Sequence, residues 1–545
     1  MDMKIKHLAA FAFTLALPSI GLAQVSGFGG FAPFNAYQNS APSTNPNIGY
    51  STDGSTFNMT DQNQSEQTSG YYATPQDVTS FTASFTYTSI PGINFGSPLA
   101  ANGSAFNFQN DPTGTAAVGG VGNANGLGIG GISSSASVAY NNFGGYYAYQ
   151  GSTVFQTGGN VPDPYDGSWQ SISPVNLSSG DPMAVNLVYS NGTVRQTITD
   201  TVTGDTFKNA FVGVDIVTAV GAKTAYVGFS GSTGGYVSTQ SVSNFTYKGG
   251  TGVAYSAVSS SAVFSPIAVT GFNRTVVVPA AIGSATNAAA YVNATPDNGT
   301  NLSVASTGYT FYETGLAGSP SGTGLPASGS TFVSAVDSQH TFTMPQYDSN
   351  GDGTSDSLVL SASLTAGNLN FTTPAAYSAL SFLVSAGHGP VPIAVTVNYA
   401  NGTSVDVGDI VAKDWFYNTP YAYSAGGRYD IANDAFQQST GNVNLYQYDL
   451  ALPASTSLIS SLSFLYDGSP TGSGVGIIFA VSGAAPAGPF IGDIPGDLNG
   501  DGTVDFSDLG ILLSNYGSTG LSVPSDYALG DINGDGSVDF SDLGI

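Results

Sequence analysis

Two stretches, DLNGDGTVDFSD (497–508) and DINGDGSVDFSD (531–542), set oxygen-bearing side chains at fixed intervals in a chain otherwise poor in charge. In the first, Asp497, Asn499, Asp501, Asp505 and Asp508 occupy positions 1, 3, 5, 9 and 12 of a calcium-binding loop. Gly502 stands at the sharp turn, and Thr503 would offer its backbone carbonyl. The second loop repeats the set with Asp531, Asn533, Asp535, Gly536, Ser537, Asp539 and Asp542. Carboxylates gathered this closely repel one another unless a hard divalent cation sits among them. The alternative is a solvated acidic turn, and two copies in register argue against it. Calcium is therefore the expected cofactor. A third loop, DSNGDGTSD, keeps the same order with Asp348, Asn350, Asp352, Thr354 and Asp356, but Val359 falls where the last carboxylate belongs. Calcium there would have a structural role.

Outside these loops the sequence offers little for catalysis. It holds two glutamates, Glu66 and Glu313, far apart, and no cysteine. His340 and His388 are the histidines beyond the first 23 residues, and each reads as a surface or edge residue. No carboxylate pair or catalytic triad is recognised, so an enzyme is not the expectation. Asp414 beside Trp415 in AKDWFYN could form a sugar-stacking corner, or Trp415 could be a core residue at a strand end. Nine Lys and Arg against 35 Asp and Glu give a net charge of −26, which excludes tracking a nucleic-acid backbone.

The elements that must position these residues are mostly strands. Gly, Ser, Thr, Asn, Tyr and Phe replace the usual helix formers, and 545 residues imply more than one core. Residues 1–23 read as a signal peptide: a short basic region, an apolar stretch and a small-residue exit at Gly21-Leu22-Ala23. Secretion follows as the expected localisation, and no later run is apolar enough to span a bilayer. Residues 24–78 are weakly patterned. Alternation begins at TSFTASFTYTSI (79–90), where Phe81, Ala83 and Phe85 share one face. Hairpins are expected around Ser190-Asn191-Gly192 and Asn401-Gly402. A second β region spans 256–482, and a Pro/Gly/Ala linker covers 483–492.

In the tail, PFIGDIPG precedes the first loop, and its two prolines preclude a leading helix. Only the exiting helix is readable, as an apolar stripe of Phe506, Leu509, Leu512, Leu513 and Tyr516 ended by Gly517. A loop with one helix, duplicated and carrying Asp at the last ligand position, resembles a type I dockerin over 493–545. That resemblance implies a cohesin-like partner or cell-surface anchor, contacted through Phe506, Ser507, Phe540 and Ser541. The chain ends at Ile545, where a second helix should develop, so the tail reads as truncated.

The motifs FTASFTYT, NGSAFNFQNDPTGTAAVGGVGNANGLGIGGISSSASVAYNN (102–142) and AYVGFSGSTGGYVSTQSVSNFTY (225–247) resemble an L-type, legume-lectin-like domain over 79–248. The resemblance implies a concanavalin A-like jelly roll. Glycan contacts would then fall to Asn102, Gly119, Gly120, Asn141 and the 231–235 loop with Ser232 and Thr233, aided by exposed Tyr rings. That family's metal-binding acids correspond to Ala139 and Asn141, so its two-metal site is not expected. GLPASGSTF and KDWF suggest that 256–482 is a galactose-binding-like sandwich of no assigned family.

The fold expected is thus mostly all-β: a jelly roll, a second β-sandwich, and a small calcium-loop and helix tail. The function expected is a secreted, carbohydrate-binding protein tethered by its tail, in extracellular polysaccharide recognition or breakdown. A glycoside hydrolase or lyase with its chemistry in 256–482, or a non-catalytic surface protein, are the alternatives.

Overall fold

The computed structural model describes residues 24–94, 97–120, 122–143, 151–163, 165, 167–282, 290–299, 308–416, 419–437, 442–455, 457–468, 473–486, 496, 498, 504–519, 530–531 and 537–542. The signal-peptide expectation at 1–23 lies outside these residues, as does 487–492 of the linker expected at 483–492, whose Gly483 and Ala484 instead end the buried strand Val475–Ala484, paired to Phe264–Ile267 and Ala379–Gly387.

Two nine-stranded antiparallel sheets form the first sandwich. One runs Thr206–Val212, Thr193–Asp200, Pro182–Ser190, Phe81–Asn94, Ser238–Gly249, Thr56–Thr60, Gly49–Tyr50. The other centres on Ser135–Asn141, Gly103–Gln109, Thr224–Ser232 and Glu66–Tyr71. The weakly patterned segment 24–78 thus supplies strands to both sheets. Alternation at 79–90 does what a period of two requires: Phe81, Ala83 and Phe85 are buried between the sheets, packed with Phe106, Phe108, Phe229 and Tyr247. The Asn191-Gly192 hairpin is a two-residue turn with both residues at positive φ (40° and 78°), the geometry that matches strand twist.

The second sandwich packs a six-stranded sheet (Phe264–Ile267, Val475–Ala484, Ala379–Gly387, Asn444–Ala451 and Tyr423–Ser424, with Leu358–Leu360 on Val475–Ala484) against a five-stranded one. The latter runs Val269–Thr270, Ala366–Ala375, Ile459–Tyr466, Val391–Tyr399, Ser404–Ala412, the last two being the hairpin expected at Asn401-Gly402. The outer face of the larger sheet is covered in turn by a second apolar cluster that includes Phe311, Phe342, Trp415 and Phe479.

The two sandwiches meet through buried polar contacts. Asn191 Nδ2 donates to the carbonyls of Val407 (2.8 Å) and Ala451 (2.9 Å). Arg195 pairs with Asp406, Asp409 and Asp467. Asp409 is fully buried, and burial pushes its carboxyl well up against the pull of Arg195. No described helix is long and apolar enough to cross a membrane.

Candidate functional site

In the tail, the helix Phe506–Ser514 begins with a reciprocal cap between Asp505 and Asp508. Asp508 Oδ2 accepts from Asp505 N (2.9 Å), while Oδ1 accepts from Leu498 N (2.7 Å). The second loop repeats the bond, with Asp542 Oδ2 accepting from Asp539 N (2.9 Å). Asp505 and Asp539 each hold the serine two residues on. Repeated sequence has given repeated geometry. A small core of Leu498, Leu512 and Val538 joins the loops, and Gly517 and Ser518 pair with Val538. The helical stripe divides: Leu512 is buried, whereas Phe506, Leu513 and Tyr516 are exposed, because this small core covers one narrow flank. Phe506 and Phe540 are 87% and 77% exposed, with Ser507 and Ser541 beside them.

Asp508, Asp531 and Asp542 are buried, and no Lys or Arg follows Arg428 in the chain. Gathered carboxylates repel one another, and a donor set of this chemistry fits a hard divalent cation. Asp497, Asn499, Asp501, Thr503, Asn533 and Asp535 lie outside the described residues.

The 348–356 loop takes a different course. Asp348 accepts from the amides of Gly351, Asp352 and Gly353 at 2.8–3.0 Å. Asn350 and Asp352 receive the amides two residues on, and Thr354 donates from its hydroxyl as well. Asp356 is turned inward: its carboxylate accepts from Val276 N (2.9 Å), Val277 N (3.1 Å) and Ser357 Oγ (2.7 Å). The position-12 residue, Val359, is fully buried in the apolar core. Among the described residues no three acids or histidines gather to hold a metal, so Asp348, Asp352 and Asp356 do not converge as their spacing suggests. The neighbouring strand's amides have claimed the fifth oxygen donor.

At one end of the first sandwich, loops bring most of the expected sugar-contacting residues together. Asn102, after a cis Ala101–Asn102 bond, donates from Nδ2 to Asn125 Oδ1 (2.9 Å). Ser232 Oγ donates to Ala124 O (2.5 Å), and Thr233 Oγ1 to Asn63 O (2.7 Å). Gly119 and Gly120 pair with Gly128 and Gly130. Asn141 accepts from Phe143 N (2.9 Å). Yet Asn102, Asn141, Ser232 and Thr233 are all buried and bonded to the loops, although Asn102 Oδ1 has no hydrogen-bond partner among the described residues. The open surface lies beside them: a recess of about 530 Å³ lined by Gly120, Asn123, Asn125, Gly130, Gly159 and Asp163 among others. Asn123 and Asn125 are exposed, and Tyr165, half-exposed, donates its amide to Asp163 (3.0 Å). Sequence reading missed Asn123, Asn125 and Asp163, although the Gly-rich run around the asparagines was visible. Ala139 lies in an apolar cluster with Tyr71, Leu127 and Val154 and offers no metal ligand.

Glu66 and Asp61, far apart from Glu313, form a pair that sequence spacing did not suggest. Asn45 Nδ2 donates to both carboxylates at 2.9 Å. Burial pushes the Glu66 carboxyl up to about 7, against a hydrogen bond from Asp61 N. For Asp61, burial is outweighed by bonds from Asn45, Asn47 and Asn63, which hold it low. Glu66 is fully buried and its amide is bonded to Thr233, so the pair latches the 231–235 loop and presents no acid to a substrate.

The two histidines differ. His388 is exposed as expected, but His340 is buried, stacked 4.2 Å from Phe264 between Asp337 and Asp449. The first strand of the second sandwich closes over it. Trp415 is a core residue, as the second of its two sequence readings has it.

Comparison with known proteins identifies a type I dockerin domain at residues 495–545. No curated protein matches the sequence. Among solved structures, arcelin-5, a lectin-like defence protein from Phaseolus vulgaris, is 17% identical over 40% of this chain and 98% of its own, with a TM-score of 0.28. Lectin II from Ulex europaeus is 15% identical over 42% and 97%, with a TM-score of 0.32. A Bauhinia forficata lectin in complex with GalNAc is 14% identical over 42% and 97%, also at 0.32.

Proposed function

Residues 495–545 form a type I dockerin domain, and from that premise we propose a secreted carbohydrate-binding protein held in place through its calcium-dependent tail. The observation that supports the tether is the repeated loop, in which Asp508 accepts from Asp505 N and Asp542 from Asp539 N within two copies of one donor order. Calcium would offset the repulsion among the acids of each loop. Asp497, Asn499, Asp501, Thr503, Asp505 and Asp508 would hold one ion, and Asp531, Asn533, Asp535, Ser537, Asp539 and Asp542 the other. The exposed rings of Phe506 and Phe540, flanked by Ser507 and Ser541, would then meet a cohesin-like partner.

Glycan binding is assigned to the recess beside Asn102, where the exposed amides of Asn123 and Asn125, glycine backbone and Asp163 offer hydrogen bonds to a polyhydroxylated ligand. The burial of Asn102, Asn141, Ser232 and Thr233 favours a second reading, a lectin-like scaffold that binds no sugar.

Two experiments on the full chain separate these. Glycan-array binding that falls in Asn123→Ala/Asn125→Ala supports the recess; no binding to any glycan, with or without calcium, supports the scaffold. Retention on an immobilised type I cohesin should require calcium and be lost in Phe506→Ala/Phe540→Ala. Retention that persists in chelator contradicts the tether.

A further inference from the structure

The corner around Asp414 and Trp415 is used by neither the tether nor the first recess, and it collects chemistry that the fold does not need. Trp415 itself is in the core, but Phe416 beside it is 37% exposed. Arg428 lays its guanidinium 3.6 Å from the Tyr309 ring, with the Phe416 ring 5.0 Å away. Its Nε donates to Gln437 Oε1 (2.7 Å), while Nη1 stands 3.9 Å from Asp297, too far for a direct hydrogen bond. Each oxygen of Asp414 accepts one amide, from Phe416 (3.0 Å) and Gly389 (3.1 Å), which leaves each a further lone pair.

The backbone brings these groups together at a cost. A Cβ on Gly387 would lie 1.9 Å from Pro296 O, so only glycine admits the segment carrying Asp297. The next residue, His388, is exposed and holds φ of +54°, a conformation that non-glycine residues seldom adopt outside sites that need it. Burial pushes the Asp297 carboxyl up, against the charges of Arg428 and His388.

We propose that this corner of the second sandwich, formed by Asp297, Tyr309, His388, Asp414, Phe416 and Arg428, is a second saccharide-binding site, separate from the glycine-lined recess. Phe416 offers a ring to the C–H face of a pyranose. Asp297 and Asp414 accept hydroxyl protons, and Arg428, its plane fixed by Tyr309, donates. The two acids would repel a uronate, so the ligand class is a neutral polysaccharide.

Affinity electrophoresis of the full chain in gels containing xylan, mannan, galactan or mixed-linkage glucan tests this. At least one polysaccharide should retard the chain. Phe416→Ala and Arg428→Gln should each weaken that retardation about tenfold, on the scale of one lost ring or charged contact. Asn123→Ala/Asn125→Ala should leave this binding in place, and so distinguishes it from the first recess. Phe416 is exposed, so its variant should keep the melting temperature. If Arg428→Gln does not fold, Asp414→Asn takes its place. Unchanged retardation in Phe416→Ala and Asp414→Asn, or no retardation by any of the four, overturns the proposal.

Discussion

The tail loops and the 348–356 loop carry the same order of oxygen donors, yet the structure uses them differently. In the tail, Asp508 and Asp542 close the motif from the following element, each holding the amide three residues back. In the second sandwich that position is Val359, committed to the core, and Asp356 turns to cap Val276 and Val277. The tail's acids bond to amides within the tail, whereas Asp356 is held by a segment about eighty residues away. No Lys or Arg follows Arg428 in the sequence, so the tail offers its acids no cationic side chain of its own. In the sandwich, a neighbouring strand supplies the hydrogen bonds.

This contrast can be broken in four ways. The largest effect is expected from Asp508→Asn/Asp542→Asn, which should abolish calcium binding by the tail and lose the helix signal in circular dichroism, whereas Asp348→Asn should leave the calcium heat intact. Next, Val359→Asp completes the spacing of the third loop but buries a carboxylate in the apolar core. It should destabilise the second sandwich by about 3–5 kcal/mol in denaturant unfolding without adding a calcium site.

Asp356→Ala strips the bonds from two buried amides and should cost about 2–5 kcal/mol, with no change in calcium stoichiometry. This residue also sets a pH dependence. Burial pushes its carboxyl up to about 7, against bonds from Ser357, Val276 and Val277. The folded chain therefore holds a proton that the unfolded chain releases near 4, so the stabilisation is complete in acid and is lost as pH rises through 7. Denaturant midpoints should fall from pH 4 to about 7 and then level off in the native protein, and this fall should be absent in Asp356→Asn. The smallest effect is expected from Gly353→Ala, where φ is +84° and the surroundings are open: about 1 kcal/mol, chelator-insensitive.

Much of the fold was legible because its signals are local. Period-two runs such as 79–90 bury one face, and Asn-Gly pairs need no distant partner to turn. The type I dockerin was readable for the same reason, since its repeated motif spans twelve residues. What sequence could not show depends on contacts between distant segments. Glu66 accepts directly from Asp61 N, five residues back, but its raised carboxyl follows from burial that distant strands impose. The partners of Arg195 lie more than two hundred residues away, across the interface between sandwiches. Asn102, Ser232 and Thr233 carry the right types at the right places, but their burial follows from how three loops close on one another. Asp356 shows the limit most plainly, because its spacing points to a metal and its strand neighbours decide otherwise.

The most direct measurement is calorimetric titration of calcium into the chelator-stripped full chain. The account predicts two ions per chain, none in Asp508→Asn/Asp542→Asn, and two in Asp348→Asn. Heats unchanged in the double variant, or a third ion lost in Asp348→Asn, would contradict it.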